Sequence, residues 1–355
     1  MNRALPALPV CALRAWALRA WALLAWALLG CSAPPPSWRV VTTDPTGWML
    51  AVTASQERLI AAGGQPGAGP GLPGQGVITI VRGTTPAVVT RTPSPQPGML
   101  WWAHALPGGA VWFAGENGSV VRYDDTRPDS GTGQPALSAI PTNTTATLYG
   151  VWALSDDDVW AVGGDDGQPG VILHGGRSGL TIDTTAPTVA SLFKIYAADA
   201  EHLFAVGSGG VVLRRSGGSW TRDPSPTTDR LLTAWGTGPA EVYAVGGLGD
   251  GRVLRFDGAR WSALDSAGLE ALAGLTVAQG EVLVTGQRGL IATRPQGGDA
   301  AAAWQRAETP TQLDLHAAAA QDDARFAVGG NLGQYRLQPP QGVLLQRGLP
   351  ERQVN

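Results

Sequence analysis

Apolar residues in this chain come in short runs that end on glycine, and the run repeats seven times: LIAAG, VWFAG, VWAVG, LFAVG, VYAVG, VLVTG and RFAVG. The closing glycines are Gly63, Gly115, Gly163, Gly207, Gly246, Gly286 and Gly329, at spacings of 52, 48, 44, 39, 40 and 43 residues. A strand-forming unit that recurs every 40 or so residues is the mark of a propeller blade. The runs are apolar at consecutive positions, as in Leu203-Phe204-Ala205-Val206 and Val159-Trp160-Ala161-Val162. A strand with one wet face alternates polar and apolar; a strand pressed between two neighbours does not. Within the runs a large side chain precedes a small one (Trp160 then Ala161, Phe204 then Ala205, Tyr243 then Ala244). That order suits interlocking faces of adjacent blades set around a ring.

Residues 191–226 show the plan of one unit. Leu192 to Ala197 predicts an inner strand, Leu203 to Val206 a second, Val211 to Arg215 a third and Ser219 to Arg222 an outer one. Ser208-Gly209-Gly210 and Ser216-Gly217-Gly218 supply the hairpin turns, where glycine tolerates backbone that other residues resist. Seven inner strands align as starting at Met49, Leu100, Leu148, Leu192, Leu231, Leu272 and Leu315. The expected fold is all-β, a seven-bladed β-propeller of four-stranded antiparallel blades over residues 37–350. Two segments compete to complete the last blade: Ser37-Trp38-Arg39-Val40-Val41 at the start, and Gly342-Val343-Leu344-Leu345-Gln346 near the end.

Composition fits many tight turns. Gly (49) and Pro (27) make about a fifth of 355 residues, and 44 % of the chain is hydrophobic, enough for a large core. The first 30 residues differ from the rest: Arg3, Arg14 and Arg19 stand there with no acid, followed by the uncharged apolar run Ala20 to Leu29. Such a run is too short to cross a bilayer and suits the middle of a signal peptide. Beyond it stand 22 basic residues against 28 acidic ones, a net of −6, with no basic footprint for nucleic acid. The chain has one lysine, Lys194.

Leu28-Leu29-Gly30-Cys31 resembles the bacterial lipobox. By that resemblance 1–30 is a lipoprotein signal peptide, Cys31 is diacylated on sulfur and then acylated on its new amino terminus, and 31–36 is a short Pro-rich tether. Several acyl chains hold far more firmly than one. Ser32 follows the cysteine, and without an aspartate there the resemblance sends the protein to the outer membrane. The other cysteine, Cys11, falls in the leader, so the exported part keeps no thiol for a disulfide, a nucleophile or a metal. Residues 351–355 read as a tail.

VWAVG, then G-x-[VI]-[LI]-[RH], then G-x-x-W resembles BNR-type and photosystem-assembly-factor-type propeller repeats. The resemblance covers roughly residues 37–350 and implies fold more than function, since propellers carry many activities. The Asp-box of sialidase-like members is only echoed, at Ser216 to Trp220 and Asp257 to Trp261. In such propellers the loops from outer to next inner strand, and from second to third strand, share one rim that commonly binds ligands. Here that rim would hold Gly64 to Gln75, Glu116, Asn117, Asp165, Asp166, Arg288 and Asn331. The third places of the inner strands are Ala51, Trp102, Gly150, Lys194, Thr233, Gly274 and Ala317. Trp102 and Lys194 stand out among small residues. At a channel mouth they would grip an acidic or sugar ligand by charge and stacking. The competing reading makes them a channel plug and a snorkelling lysine.

Catalytic signatures are missing from the sequence. His104, His174, His202 and His316 fall in different units without HExxH spacing; there is no G-x-S-x-G elbow and no phosphate-binding loop. Asp156-Asp157-Asp158 and Asp165-Asp166 fit solvated turns better than a calcium loop. No metal and no cofactor are expected. The expectation is a monomeric, membrane-anchored binding or scaffold lipoprotein without catalysis. Its rim would meet a protein or glycan of the cell envelope of a Gram-negative bacterium. The alternatives are a glycan-active hydrolase or lyase, which needs paired carboxylates or an arginine cluster, and a repeat protein whose rim binds nothing.

Overall fold

The computed structural model describes residues 37–56, 58–67, 74–83, 87–128, 135–334 and 337–348, with backbone alone at 125–128 and 135. The leader, Cys31, the tether and the 351–355 tail lie outside the described residues. Seven four-stranded antiparallel sheets make up the fold, six of them in simple up-and-down order along the chain. It is a seven-bladed β-propeller. Blade 4 consists of Leu192–Ala197, Leu203–Gly207, Val212–Ser216 and Ser219–Arg222. The inner strands of the other blades are Trp48–Ser55 (blade 1), Leu100–Ala105 (2), Leu148–Ser155 (3), Leu231–Gly238 (5), Leu272–Ala278 (6) and Asp314–Gln321 (7).

Both terminal segments enter blade 7, in different places. Gly342–Arg347 is its third strand, and Arg39–Asp44 pairs outside it as the fourth. Competition between them was an illusion of spacing. In blade 4 the second strand ends at Gly207 and the third starts at Val212, whereas in blade 7 Gly330 and Gly342 bracket a longer loop. That loop carries the third strand to where an outer one is expected. Glu281 of blade 6 accepts hydrogen bonds from Arg325 and Arg347 of blade 7, tying the closing blade to its neighbour.

Second strands are buried on both faces: every residue of Val111–Gly115 and Leu203–Gly207 is buried. Their terminal glycines are forced by close approach. A Cβ on Gly63, Gly115, Gly163, Gly207, Gly246, Gly286 or Gly329 would sit 1.9–2.4 Å from the carbonyl oxygen of the residue preceding the aligned start of the inner strand. For Gly207 that oxygen belongs to Ser191, at 2.2 Å. The seven glycines are therefore one steric solution used seven times.

Farther out, tryptophans stitch one blade to the next. Trp220 on blade 4 donates from Nε1 to Asp183, just past the outer strand of blade 3, at 3.0 Å. Trp261 on blade 5 donates to Asp223 at 3.3 Å. Trp304, beside the outer strand of blade 6, reaches the carbonyl of Asp265 at 2.8 Å. Blade 7 breaks the series. Its tryptophan is Trp38, the residue in the matching place after blade 6 is Ala307, and the buried Trp38 Nε1 has no acceptor among the described residues.

Two predictions follow from steric and polar fit. Gly207→Ala should cost about 3 kcal/mol or more, because backbone has to move. Gly209→Ala should cost only about 1–2 kcal/mol: its φ is +63° but nothing stands near its Cβ. Equal costs by urea denaturation would refute the close-approach account. Ala307→Asp should gain about 1 kcal/mol by giving Trp38 an acceptor beside Arg347, whose guanidinium lies 5.7 Å from the indole centroid. The check is a higher urea midpoint at unchanged slope.

Candidate functional site: a blind cup at the channel mouth

Every inner strand slips register at its second aligned place, and those of blades 3 and 5 slip again near their far ends. In blade 3, Leu148 pairs with Gly163 and Gly150 with Val162, so Tyr149 is extra. The same skip leaves Leu50, Trp101, Phe193, Leu232, Ala273 and His316 unpaired in the other six blades. A bulge bends its strand and re-aims one side chain. Seven bulges re-aim seven side chains, and all seven line one cavity of about 450 Å³ at the channel mouth. Ligand pockets commonly have such a volume, roughly 300–1,000 Å³.

The wall is two-sided. Trp101, Tyr149 and Phe193 form an arc across blades 2 to 4, each edge-on to the next with centroids 5.4 Å apart. Opposite stand Leu232, Ala273 and His316, with Arg230, Gln287 and Asp314 at the lip. Arg230 and Asp314 each directly precede an inner strand's aligned start, and Gln287 directly follows a repeat glycine. Burial pushes the Tyr149 phenol up and the His316 imidazole down; for His316 the nearby Lys194 charge adds to the fall and Asp314 opposes it.

The third places lie one layer deeper than the mouth. Ala51, Trp102, Gly150, Lys194, Thr233, Gly274 and Ala317 are all buried. The sequence expectation that they form the mouth is corrected by the bulge, which hands that position to the preceding residue. Trp102 and Lys194 do meet. Lys194 of blade 4 passes Gly150 of blade 3 and sets Nζ 3.6 Å from the Trp102 ring centroid, on blade 2. A Cβ on Gly150 would come within 3.0 Å of the Lys194 Cα, so the glycine keeps the crossing open. Nζ also donates to the Tyr149 carbonyl at 2.9 Å, an acceptor on the bulge residue itself. Only 7 % exposed, with burial the dominant influence, the Lys194 ammonium is held well below its ordinary pKa. It does not snorkel.

Beneath that layer the channel is stoppered. Trp152 of blade 3 lies against His104 of blade 2 with the rings tilted by 31° and centroids 4.0 Å apart, and meets Tyr196 and Trp235, of blades 4 and 5, edge-on at 5.0 Å. The His104 Nδ1 accepts the Ala153 amide at 3.2 Å, and burial drops its pKa to about 3. The cup is blind.

Of the residues expected to bind, Lys194 lines the cup and none of the rim residues does. Glu116 accepts the Met99 amide at 3.0 Å, and Asp165 accepts the Thr147 amide at 3.1 Å, each pinning the start of an inner strand. Asp314, which opens the inner strand of blade 7, accepts the Arg288 amide from the turn of blade 6, and the exposed Arg288 guanidinium pairs with Glu270. Asn117 occupies a left-handed turn (φ +57°) and Asp166 an exposed one. Asn331 is buried, accepting Trp48 Nε1 at 3.1 Å. Within the long Gly/Pro loop, 68–73 lie outside the described residues. Asp156 and Asp158 of the acidic run are engaged by Arg122 and by Trp160. The ring of bulge residues was hidden from the sequence because a register skip leaves no mark on hydrophobicity.

No family model and no curated protein matches this chain. Solved structures do. The WD40 repeats of RRP9 align with a TM-score of 0.64 at 9 % identity, over 89 % of this chain and 99 % of theirs. The WD40 propeller domain of Doa1 gives 0.63 at 8 %, over 87 % and 96 %. YCF48, solved bound to D1 peptide, gives 0.59 at 15 %, over 91 % and 98 %. The likeness is one of fold.

The buried histidine makes a pH prediction. His104 has a folded pKa far below its unfolded value near 6.5, so its contribution is complete above pH 6.5 and is lost as pH falls towards 3. Between pH 6.5 and 5 carboxylates stay ionised. Over that window the wild type should lose about 2 kcal/mol more stability than His104→Gln. Parallel curves in denaturant titrations would show that His104 is not held neutral.

Proposed function

We propose that this chain is a lipid-anchored, non-catalytic binding protein that presents the cup to a partner in the bacterial cell envelope. The observation that carries the reading is the blind cup, walled by an aromatic arc on one side and carrying polar groups at the opposite lip. Aromatic surface supplies much binding energy at little entropic cost, and a few convergent polar groups supply orientation. A hydrolase acting through two carboxylates needs them about 5–10 Å apart across the scissile bond. Asp314 is the single carboxylate lining the cup among the described residues, and one of its oxygens is engaged by the Arg288 amide. That favours binding over glycan cleavage. The BNR-like repeat and the lipobox-like Cys31 together suggest export, and lipid on Cys31 would place a monomeric propeller on the outer membrane, facing periplasm or cell surface. YCF48 shares the fold and was solved with a peptide, which makes a protein segment the first ligand class to try and an envelope glycan the second.

The test is crosslinking and affinity capture of the tagged full-length protein from its host's membranes. A stoichiometric protein partner is expected for the wild type and at least tenfold less for Trp101→Ala, with capture unchanged for an outer-strand variant such as Thr221→Ala. Cys31→Ala should shift the protein from the outer-membrane fraction to the soluble periplasm. Capture insensitive to Trp101 would take the cup out of the function, and unchanged fractionation would take the lipid out.

A further inference from the structure

The charge inside the cup runs against the charge of the chain. The whole sequence carries a net charge of −3 and a single lysine, and that lysine is in the cup. Arg230 stands at the lip, its Nε donating to the Gly247 carbonyl. No carboxylate pairs with either cation among the described residues; Asp314 is the one acid lining the cup with them, Asp165, Asp166 and Glu116 act on Tyr149 from outside the lining, and His316 is the remaining ionisable base.

An ammonium has three donors. On Lys194 one goes to the Tyr149 carbonyl, and the Trp102 face takes the cation from one side. A buried charge is stable when it is paired, and an unpaired one loses its proton or waits for a counter-ion. None of the described carboxylates supplies that counter-ion, while the cavity that Lys194 lines has room for one. The floor adds a second constraint. Trp102 and Lys194 cover it, and Trp152 with its aromatic neighbours closes the channel below. A ligand therefore enters end first and stops, so its leading end sets the match. A leading cation would meet Lys194 and Arg230 as like charges; a leading carboxylate would complete them.

We propose that the cup captures a carboxylate at the tip of an apolar or aromatic body, the carboxylate pairing with Lys194 and the body lying along Trp101, Tyr149 and Phe193. The group comes either from a peptide's carboxyl terminus or from a free small carboxylic acid. The inference rests on the reading of the cup as a binding site and specifies what enters it first.

The experiment is titration calorimetry on the full-length protein in detergent micelles. The small probes are N-acetylphenylalanine and its amide; the peptide probes are one hexapeptide ending in phenylalanine as the free acid and as the amide. Acids should bind at least tenfold more tightly than their amides, and Lys194→Met should erase the difference while leaving the amides unaffected. Tighter binding of the peptide acid than of the small acid identifies a chain end as the source; the reverse order identifies a free acid. Should Lys194→Met fail to fold, the wild-type comparison of acid with amide decides alone. Equal binding of acid and amide, lost in Trp101→Ala, overturns the carboxylate inference and leaves the binding site standing. An acid preference that survives Lys194→Met overturns the assignment to this lysine. No binding of any probe at millimolar concentration overturns the inference and counts against the cup as a ligand site.

Discussion

The structure depends on one contact made seven times: a bare Cα in the second strand against a carbonyl oxygen at the start of the inner strand. With no Cβ at Gly63, Gly115, Gly163, Gly207, Gly246, Gly286 and Gly329, the two backbones come together more closely than any other residue permits. Directly beyond that contact the inner strand skips one pairing, and the skipped residue leaves the ladder. Blade packing and the cup thus share a cause. The glycines that let strands nest are the neighbours of the residues that line the cup.

Energetically the ring divides into an apolar interior and a polar set of stitches. The interior is nearly continuous, from Leu100 and Val111 in blade 2 to Leu283 and Ile291 in blade 6, all fully buried. Non-directional burial supplies most of the stability but says little about how adjacent blades register. Directional bonds do that: the Trp220–Asp183 and Trp261–Asp223 links, and Glu281 between Arg325 and Arg347. The broken link at Trp38 falls at the blade assembled from both ends of the chain.

Much of the fold was legible because it is written in composition at fixed intervals. Inner and outer strands of blade 4 fall where the apolar runs and glycine turns put them, and blade number follows from counting glycines. Pairing at the closure was not legible, because the 331–341 loop lengthens one unit and shifts its third strand. The cup was half legible. Trp102 and Lys194 caught the eye as large residues among small ones, and they do meet. Their role as floor rather than mouth came from a bulge, a feature of hydrogen bonding that neighbouring residue types do not encode. Glu116 and Asp165 show the opposite case. Acids in rim loops look available, yet each accepts a backbone amide at the start of an inner strand.

The strand that closes the ring is among the first parts of the fold in chain order and is paired with one of the last. Arg39 lies opposite Gln346, 307 positions away. A chain made from its amino terminus therefore has the outer strand of blade 7 in hand and nothing to pair it with. Until the final hairpin arrives, blade 7 does not exist and the faces of blades 1 and 6 that meet it stay wet. Closing a loop of that length is entropically slow, and open edges invite pairing with other chains. The fold consequently has a vulnerable interval whose length is set by the arrival of its last strand, a demand for protection during folding that a propeller closed wholly from one end would not make.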